Sequence, residues 1–181
     1  AKKAEASSHL TDELKARGIE IDIFPGAEVY LTPSLLNLDG LENLCLGNSR
    51  YMLIEISIMA IPRWLDEILY SIQLRGITPI LAHPERYINM VKSPKLLDEL
   101  VEKGLFLQVN ASSICDISDR KTKKFIHYLM KNDMVHFLAT DAHSTGSRPP
   151  KIQESIRKLI DTYGSDTVEY MLENARKIGQ R

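Results

Sequence analysis

Cysteine is scarce in this chain, with Cys45 and Cys115 the only two among 181 residues. They stand far apart, so they form neither a Cys-x-x-Cys pair nor a thiolate metal-binding pattern. The sequence therefore lacks the signature of a disulfide-rich secreted domain, and two free thiols fit a reducing cytosol. We interpret both cysteines as small buried residues rather than as nucleophiles.

Long apolar runs and an excess of one charge are also missing. No segment is apolar enough to cross a bilayer, and no signal peptide opens the chain. The formal net charge is −1, which excludes bulk electrostatic attraction to nucleic acid or to an anionic membrane. The sequence thus predicts a cytoplasmic protein without a nucleic-acid partner or membrane insertion, in which any anion binding is local.

Strand and helix patterns alternate along the chain, which predicts an α/β fold with a parallel sheet or barrel. Apolar runs predict five strands, at 19–24, 51–56, 77–82, 105–109 and 135–140. Helices are predicted at 1–18, 61–75, 93–103, 119–132, 150–163 and 166–178. We predict that residues 1–181 form a single domain, which is short for an eight-fold barrel. Because an α/β chain that starts on a helix is unusual, we expect a preceding βα unit to be missing.

Residues that can bind metals follow three of the predicted strands. Glu28 comes after the first strand, His83 ends the third, and Asp141 and His143 follow the fifth. The ends of parallel strands meet at one rim, where such folds place their chemistry. Two carboxylates and two imidazoles suit Mn²⁺, Fe²⁺ or Zn²⁺, with Mn²⁺ favoured as oxygen donors increase. Any one of these residues alone is more often a solvated turn carboxylate or a structural histidine.

Two arginines and one asparagine lie beside these residues. Arg86 is three residues past His83, and Arg148 is five residues past His143. Because the guanidinium fork matches phosphate oxygens, the pair predicts a phosphorylated substrate, although a single arginine more often forms a surface ion pair. Asn110, at the end of the fourth strand, contacts the substrate, orients neighbouring ligand side chains or only caps backbone groups.

Several motifs together resemble the bacterial PHP-type protein-tyrosine phosphatases, the manganese-dependent enzymes of capsular and exopolysaccharide operons. The resemblance rests on Pro-Gly-Ala-Glu-Val at 25–29, Leu-Ala-His-Pro-Glu-Arg-Tyr at 81–87 and Ala-Thr-Asp-Ala-His-Ser at 139–144, with Arg148 beyond them. Asn48–Glu55 and Leu74–Ile80 also read like that family. The resemblance covers nearly the whole chain, except for an expected opening His-x-His strand that is absent before Ala1.

The resemblance implies a distorted (β/α)7 TIM-like barrel of the PHP type, without its first βα units, that holds two to three manganese ions. It implies that Glu28, His83, Asp141 and His143 are metal ligands, while Arg86 and Arg148 bind the phosphate and stabilise the transition state. It also implies a phosphotyrosine protein as partner, namely the tail of a bacterial tyrosine kinase. Two alternatives remain: a PHP phosphoesterase for a small metabolite such as histidinol phosphate, and an inactive truncated domain.

Overall fold

A computed structural model describes residues 2–115 and 119–179, in which five strands form one parallel sheet. The strands follow one another across the sheet in chain order: β1 (Glu28–Tyr30), β2 (Tyr51–Glu55), β3 (Thr78–Ala82), β4 (Phe106–Asn110) and β5 (Phe137–Ala139). Each neighbouring pair is parallel. Because every strand enters in the same direction, all five C-terminal ends lie along one rim.

Helices connect the strands and complete the layers. The α-helices are α1 (Lys2–Ala16), α2 (Leu65–Leu74), α3 (Ile88–Lys92), α4 (Asp98–Glu102), α5 (Ala111–Cys115), α6 (Arg120–Lys131), α7 (Gln153–Tyr163) and α8 (Ser165–Gly179). Short 3-10 turns occupy Pro33–Asn37, Leu41–Leu44, Pro84–Arg86 and Pro94–Leu96. Within the described part of the chain, no helix is long and apolar enough to cross a membrane.

The two faces of the sheet differ in chemistry. On one face, Val29, Ile54, Leu81 and Leu107 stand side by side across four strands and are at most 8% exposed. They pack with apolar residues of the helices, so this face forms the hydrophobic core. The opposite face carries aromatic rings near the strand starts and polar side chains near the strand ends. The core therefore fixes the strand register, and the register sets which polar residues share the rim.

The predicted strand at 19–24 is wrong, because residues 19–27 have no regular structure and β1 begins at Glu28. The alternation of Ile19 and Ile21 is typical of a strand, yet their side chains are 47% and 61% exposed. Local pattern therefore favoured a strand that tertiary packing does not supply. The other four predicted strands are confirmed to within two residues at each end.

The helix predictions are confirmed with local differences. The predicted helix at 61–75 begins only at Leu65, and the one at 93–103 divides into a 3-10 turn and α4. The described side chains of α1 are all exposed or half-buried, so this helix contributes little to the core. The sheet is open in the described chain, since β1 and β5 each pair with a single strand. The α/β parallel architecture is thus as predicted, but the five described strands do not close into a barrel.

Candidate metal and phosphate site

Each of the five strands supplies one polar side chain to the C-terminal rim. These residues are Glu28 in β1, Glu55 at the end of β2, His83 directly after β3, Asn110 at the end of β4 and Asp141 shortly after β5. Glu28, Glu55 and Asn110 lie on the sheet face opposite the core. The rim therefore gathers residues that are up to 113 positions apart in the sequence into one row.

The first group in this row is made of Glu28, Glu55 and His83, which we term the carboxylate–histidine triad. One ligand atom from each lies within 4.8 Å of the others. His83 Nε2 is 3.1 Å from Glu28 Oε1 and 3.8 Å from Glu55 Oε1. The imidazole is 2% exposed, whereas the two carboxylates are 34% and 30% exposed. A buried nitrogen and two partly solvated oxygens facing one point form a donor set that divalent transition metals accept.

The second group surrounds Asp141 and is termed the arginine cluster. Asp141 Oδ2 accepts hydrogen bonds from Arg86 Nη2, from Arg148 Nη1 at 3.1 Å and from Asn110 Nδ2 at 3.2 Å. The Asp141 side chain is 9% exposed, and the arginines are 36% and 44% exposed. Burial by itself would raise the pKa of Asp141, but the two guanidiniums outweigh it and lower that pKa. The carboxylate thus stays ionised between two cations.

His143 lies at the outer edge of the arginine cluster. Its Nδ1 is 2.7 Å from the backbone carbonyl oxygen of Asp141 and 3.4 Å from Oδ1 of the same residue. A proton on Nδ1 satisfies that carbonyl, which leaves the lone pair of Nε2 as the available ligand. The ring is 53% exposed. Its surrounding loop is closed by Arg148, whose carbonyl accepts the His143 N–H at 3.0 Å.

Two of the rim residues adopt left-handed backbone conformations that side chains other than glycine rarely take. His83 has φ of 38° and Asp141 has φ of 49°. His83 directly follows β3 and Asp141 lies two residues after the end of β5, where the unusual φ turns the side chain toward the rim. Such conformations cost about 1–3 kcal/mol each and cluster at functional sites. The backbone strain therefore falls on His83 and Asp141, two of the residues predicted as metal ligands from their positions after strands.

The structure divides the predicted site residues between the two groups. Glu28 and His83 meet in the triad, while Asp141, His143, Arg86, Arg148 and Asn110 meet in the arginine cluster. Glu55 was missed by the sequence analysis. It ends the strand pattern Tyr-Met-Leu-Ile-Glu, and a carboxylate at the end of a predicted parallel strand is the signal that could have identified it.

Comparison with known proteins identifies close relatives of this chain. The family model described as capsular polysaccharide synthesis, CpsB/CapC, matches residues 1–179. The tyrosine-protein phosphatase YwqE of Bacillus subtilis is 33% identical over 172 residues, which are 94% of this chain and 68% of the relative. The tyrosine-protein phosphatase CpsB of Streptococcus pneumoniae is 34% identical over 165 residues, or 84% of this chain and 66% of the relative. The chain thus spans about two thirds of the length of these proteins.

A solved structure agrees with these relatives. It is described as belonging to YwqE from Bacillus subtilis and CpsB from Streptococcus pneumoniae, unique metal-dependent tyrosine phosphatases. The TM-score is 0.88 at 31% sequence identity, and the match covers 96% of this chain and 71% of the solved one. The likeness therefore extends over nearly the whole chain.

Proposed function

The chain belongs to the CpsB/CapC family of capsular polysaccharide synthesis, and from that membership we propose that it is a metal-dependent tyrosine-protein phosphatase. The observation that carries the proposal is the placement of a metal-type triad and a two-arginine cluster on the same strand-end rim. Relatives at 33% and 34% identity are tyrosine-protein phosphatases. They favour this function over hydrolysis of a small metabolite such as histidinol phosphate and over a domain without activity.

The donor set fits a divalent ion. Glu28, Glu55 and His83 offer two carboxylates and a buried imidazole whose ligand atoms already lie within 4.8 Å, and Asp141 and His143 offer a further oxygen and nitrogen. Because three of these five donors are carboxylates, we propose manganese in two to three positions, with iron or zinc as the alternatives that the same donors accept. A divalent ion there supplies a Lewis acid that polarises a phosphoryl oxygen and makes water more acidic.

The protein's own residues bind and orient the phosphate. Arg86 and Arg148 approach a single carboxylate oxygen of Asp141 from two directions, so their guanidiniums already converge at one point of the rim. A phosphoryl group bound there gains donors in fork geometry, and these donors also stabilise the charge that develops in the transition state. Asn110 Nδ2 faces the same point and adds a neutral donor. No cysteine nucleophile is needed for this chemistry.

We further propose the substrate and setting of the enzyme. The substrate is a phosphotyrosine protein, the tail of a bacterial tyrosine kinase that controls capsular or exopolysaccharide synthesis, and the reaction takes place in the cytoplasm. The open sheet is proposed to be the larger part of a distorted (β/α)7 barrel of the PHP type, since the match covers only about two thirds of the relatives' length.

The test is a phosphatase assay on this chain with a phosphotyrosine peptide and Mn²⁺. We expect phosphate release that stops in excess chelator and returns when Mn²⁺ is restored. His83→Ala removes the buried donor of the triad and is expected to lower kcat/KM by about 100-fold or more. His9→Ala is the matched control, because His9 is exposed on α1.

Hydrolysis that is unchanged by chelator, or equal in His83→Ala and the parent, would refute the metal mechanism. A higher kcat/KM for histidinol phosphate than for the phosphotyrosine peptide would refute the proposed substrate class while leaving the metal mechanism intact.

A further inference from the structure

The turn from His83 to Tyr87 joins the two groups of the site. Its backbone is closed by the Arg86 N–H, which donates to the His83 carbonyl at 2.9 Å, and by the Tyr87 N–H, which donates to the Pro84 carbonyl at 3.2 Å. His83 belongs to the carboxylate–histidine triad and Arg86 belongs to the arginine cluster. Contacts that hold this turn against neighbouring strands therefore set the positions of both the carboxylate–histidine triad and the arginine cluster.

Tyr87 connects the turn to β2 on the triad side. The ring is 1% exposed, and its hydroxyl accepts the backbone N–H of Ile56 at 3.3 Å. Ile56 directly follows Glu55, so the bond holds the backbone next to that carboxylate. The Tyr87 ring also packs against the His83 ring, with centroids 5.9 Å apart and planes at 32°. Tyr87 thus contacts the ring of His83 and the backbone beside Glu55, so it acts on two of the three triad members.

Glu85 connects the same turn to β4 on the arginine side. Its side chain is buried, and Oε1 accepts the Asn110 N–H at 3.0 Å and the Ser113 hydroxyl at 2.8 Å. Asn110 in turn donates to Asp141 Oδ2, as does Arg86, the residue next to Glu85. Glu85 therefore holds the backbone of Asn110, one of the donors that converge on Asp141, and directly precedes Arg86, another of them. A buried carboxylate is costly unless it is hydrogen-bonded, and the two donors on Oε1 offset part of that cost.

We propose that Tyr87 and Glu85 are positioning residues with separate tasks: Tyr87 orients Glu55 and His83 for metal binding, and Glu85 orients Arg86 and Asn110 for phosphate binding. The proposal rests on the proposed function and deepens it. Both residues act through the groups they hold. We call this turn a two-sided clamp. Its two sides are separable by mutation, because Tyr87 bonds to the backbone just after β2 whereas Glu85 bonds to β4 and α5.

The size of each effect follows from what is lost. Tyr87→Phe keeps the ring against His83 and removes only the acceptor for the Ile56 N–H. Partners that orient metal ligands typically contribute about 10–100-fold in metal affinity, so we expect the Kd for Mn²⁺ to rise by about 10-fold or more. Glu85→Ala removes the acceptor of the Asn110 N–H and of the Ser113 hydroxyl. We expect the Kd for inorganic phosphate to rise by about 10-fold, since small misplacements of binding groups carry costs of this order.

The experiment measures the two binding steps separately in each variant. Mn²⁺ binding is measured by titration calorimetry on metal-depleted protein, and inorganic phosphate binding is measured at saturating Mn²⁺. Tyr87→Phe is expected to weaken Mn²⁺ and leave phosphate within about threefold of the parent, whereas Glu85→Ala is expected to do the reverse. Glu85→Gln retains an acceptor oxygen and is expected to restore phosphate binding.

Two further variants serve as controls. Tyr128→Phe removes a tyrosine hydroxyl that is bonded at 2.8 Å to Asp98, among the helices, and is expected to change neither Kd. Ser113→Ala removes one donor of Glu85 while the Asn110 N–H still donates to it, so it tests the arginine side even if Glu85→Ala fails to fold. We expect it to weaken phosphate binding in the same direction as Glu85→Ala, by a smaller factor.

Parallel loss of both affinities in Tyr87→Phe and Glu85→Ala would overturn the proposal, because it would indicate a common structural defect. Unchanged affinities in both variants would overturn it equally. The proposed function is tested separately. If the two variants lose Mn²⁺ and phosphate affinity in the expected pattern but the parent releases no phosphate from phosphotyrosine, the positioning roles are supported and the enzymatic function is refuted.

Discussion

Lowering the pH from 7.5 to 5 should destabilise the protein through one buried histidine, His136. Its side chain is 6% exposed and stacks on Phe106, with ring centroids 4.2 Å apart and planes at 12°. Its Nδ1 accepts the Leu107 backbone N–H at 3.2 Å. Burial lowers the pKa of His136 to about 4. A second proton, on Nδ1, would face the Leu107 donor, so the folded protein favours the neutral ring.

The sign and size of the effect follow from linkage. The unfolded chain, with a histidine pKa near 6.5, binds a proton before the folded protein does, so stability is complete above pH 6.5 and is lost as the pH falls toward 4. At pH 5 the loss amounts to about 2 kcal/mol, rising to about 3 kcal/mol at pH 4. With a urea m-value of about 2 kcal/mol per molar, the unfolding midpoint should fall by about 1 M between pH 7.5 and pH 5.

Urea unfolding of metal-depleted protein at the two pH values measures this shift. The comparison variant is His136→Asn, whose amide oxygen can accept the Leu107 N–H but does not titrate. The variant is less stable at both pH values because the stacked ring is lost, yet the pH-dependent part of the shift should shrink. A parent midpoint that is equal at pH 7.5 and 5, or an equal drop in His136→Asn, would refute the assignment to this residue.

Three other predictions concern the rim and the core. Arg148→Ala should lower kcat/KM for a phosphotyrosine peptide by about 10–100-fold, and Arg148→Lys should restore little of it, because a lysine lacks the planar fork; full activity in either variant contradicts the phosphate role. Glu55→Gln should weaken Mn²⁺ binding by about 10-fold or more in calorimetry, whereas Glu42→Gln, on an exposed residue, should bind like the parent. Leu129→Ala, at a fully buried position of α6, should reduce the free energy of unfolding by about 3 kcal/mol without changing the Kd for Mn²⁺, and a changed Kd would show that core and rim are coupled.

The fold could be predicted wherever apolar pattern and burial agree. β2 and β4 were predicted to within one residue at each end, because their apolar side chains reach the core that the pattern implies. The segment at 19–24 has the same kind of pattern and forms no strand, since its apolar side chains are largely exposed. The apolar pattern of a segment shows which side chains it could bury, whereas tertiary packing decides whether they are buried.

The site could be predicted as a set of residue types but not as two groups. Strand ends selected His83 and Asp141, which the structure places at the rim, because parallel strands bring their ends together. Glu28 was selected as the residue after a strand at 19–24 that does not form, and it lies at the rim because it opens β1. The same rule applied to β2 would also have selected Glu55. Roles within the rim depend on distances of a few ångströms, which a sequence does not contain.

The sequence by itself determined the α/β alternation, the order that makes a parallel sheet, and the polar residues that this order carries to one rim. Only the tertiary structure decided that His83 meets Glu28 across 55 positions of sequence and that Arg86 meets Asp141 across another 55. The physical reason is the difference in range of the interactions. Periodicity and turn preferences act within a few residues, whereas the convergence of side chains depends on strand register and on buried contacts between distant segments.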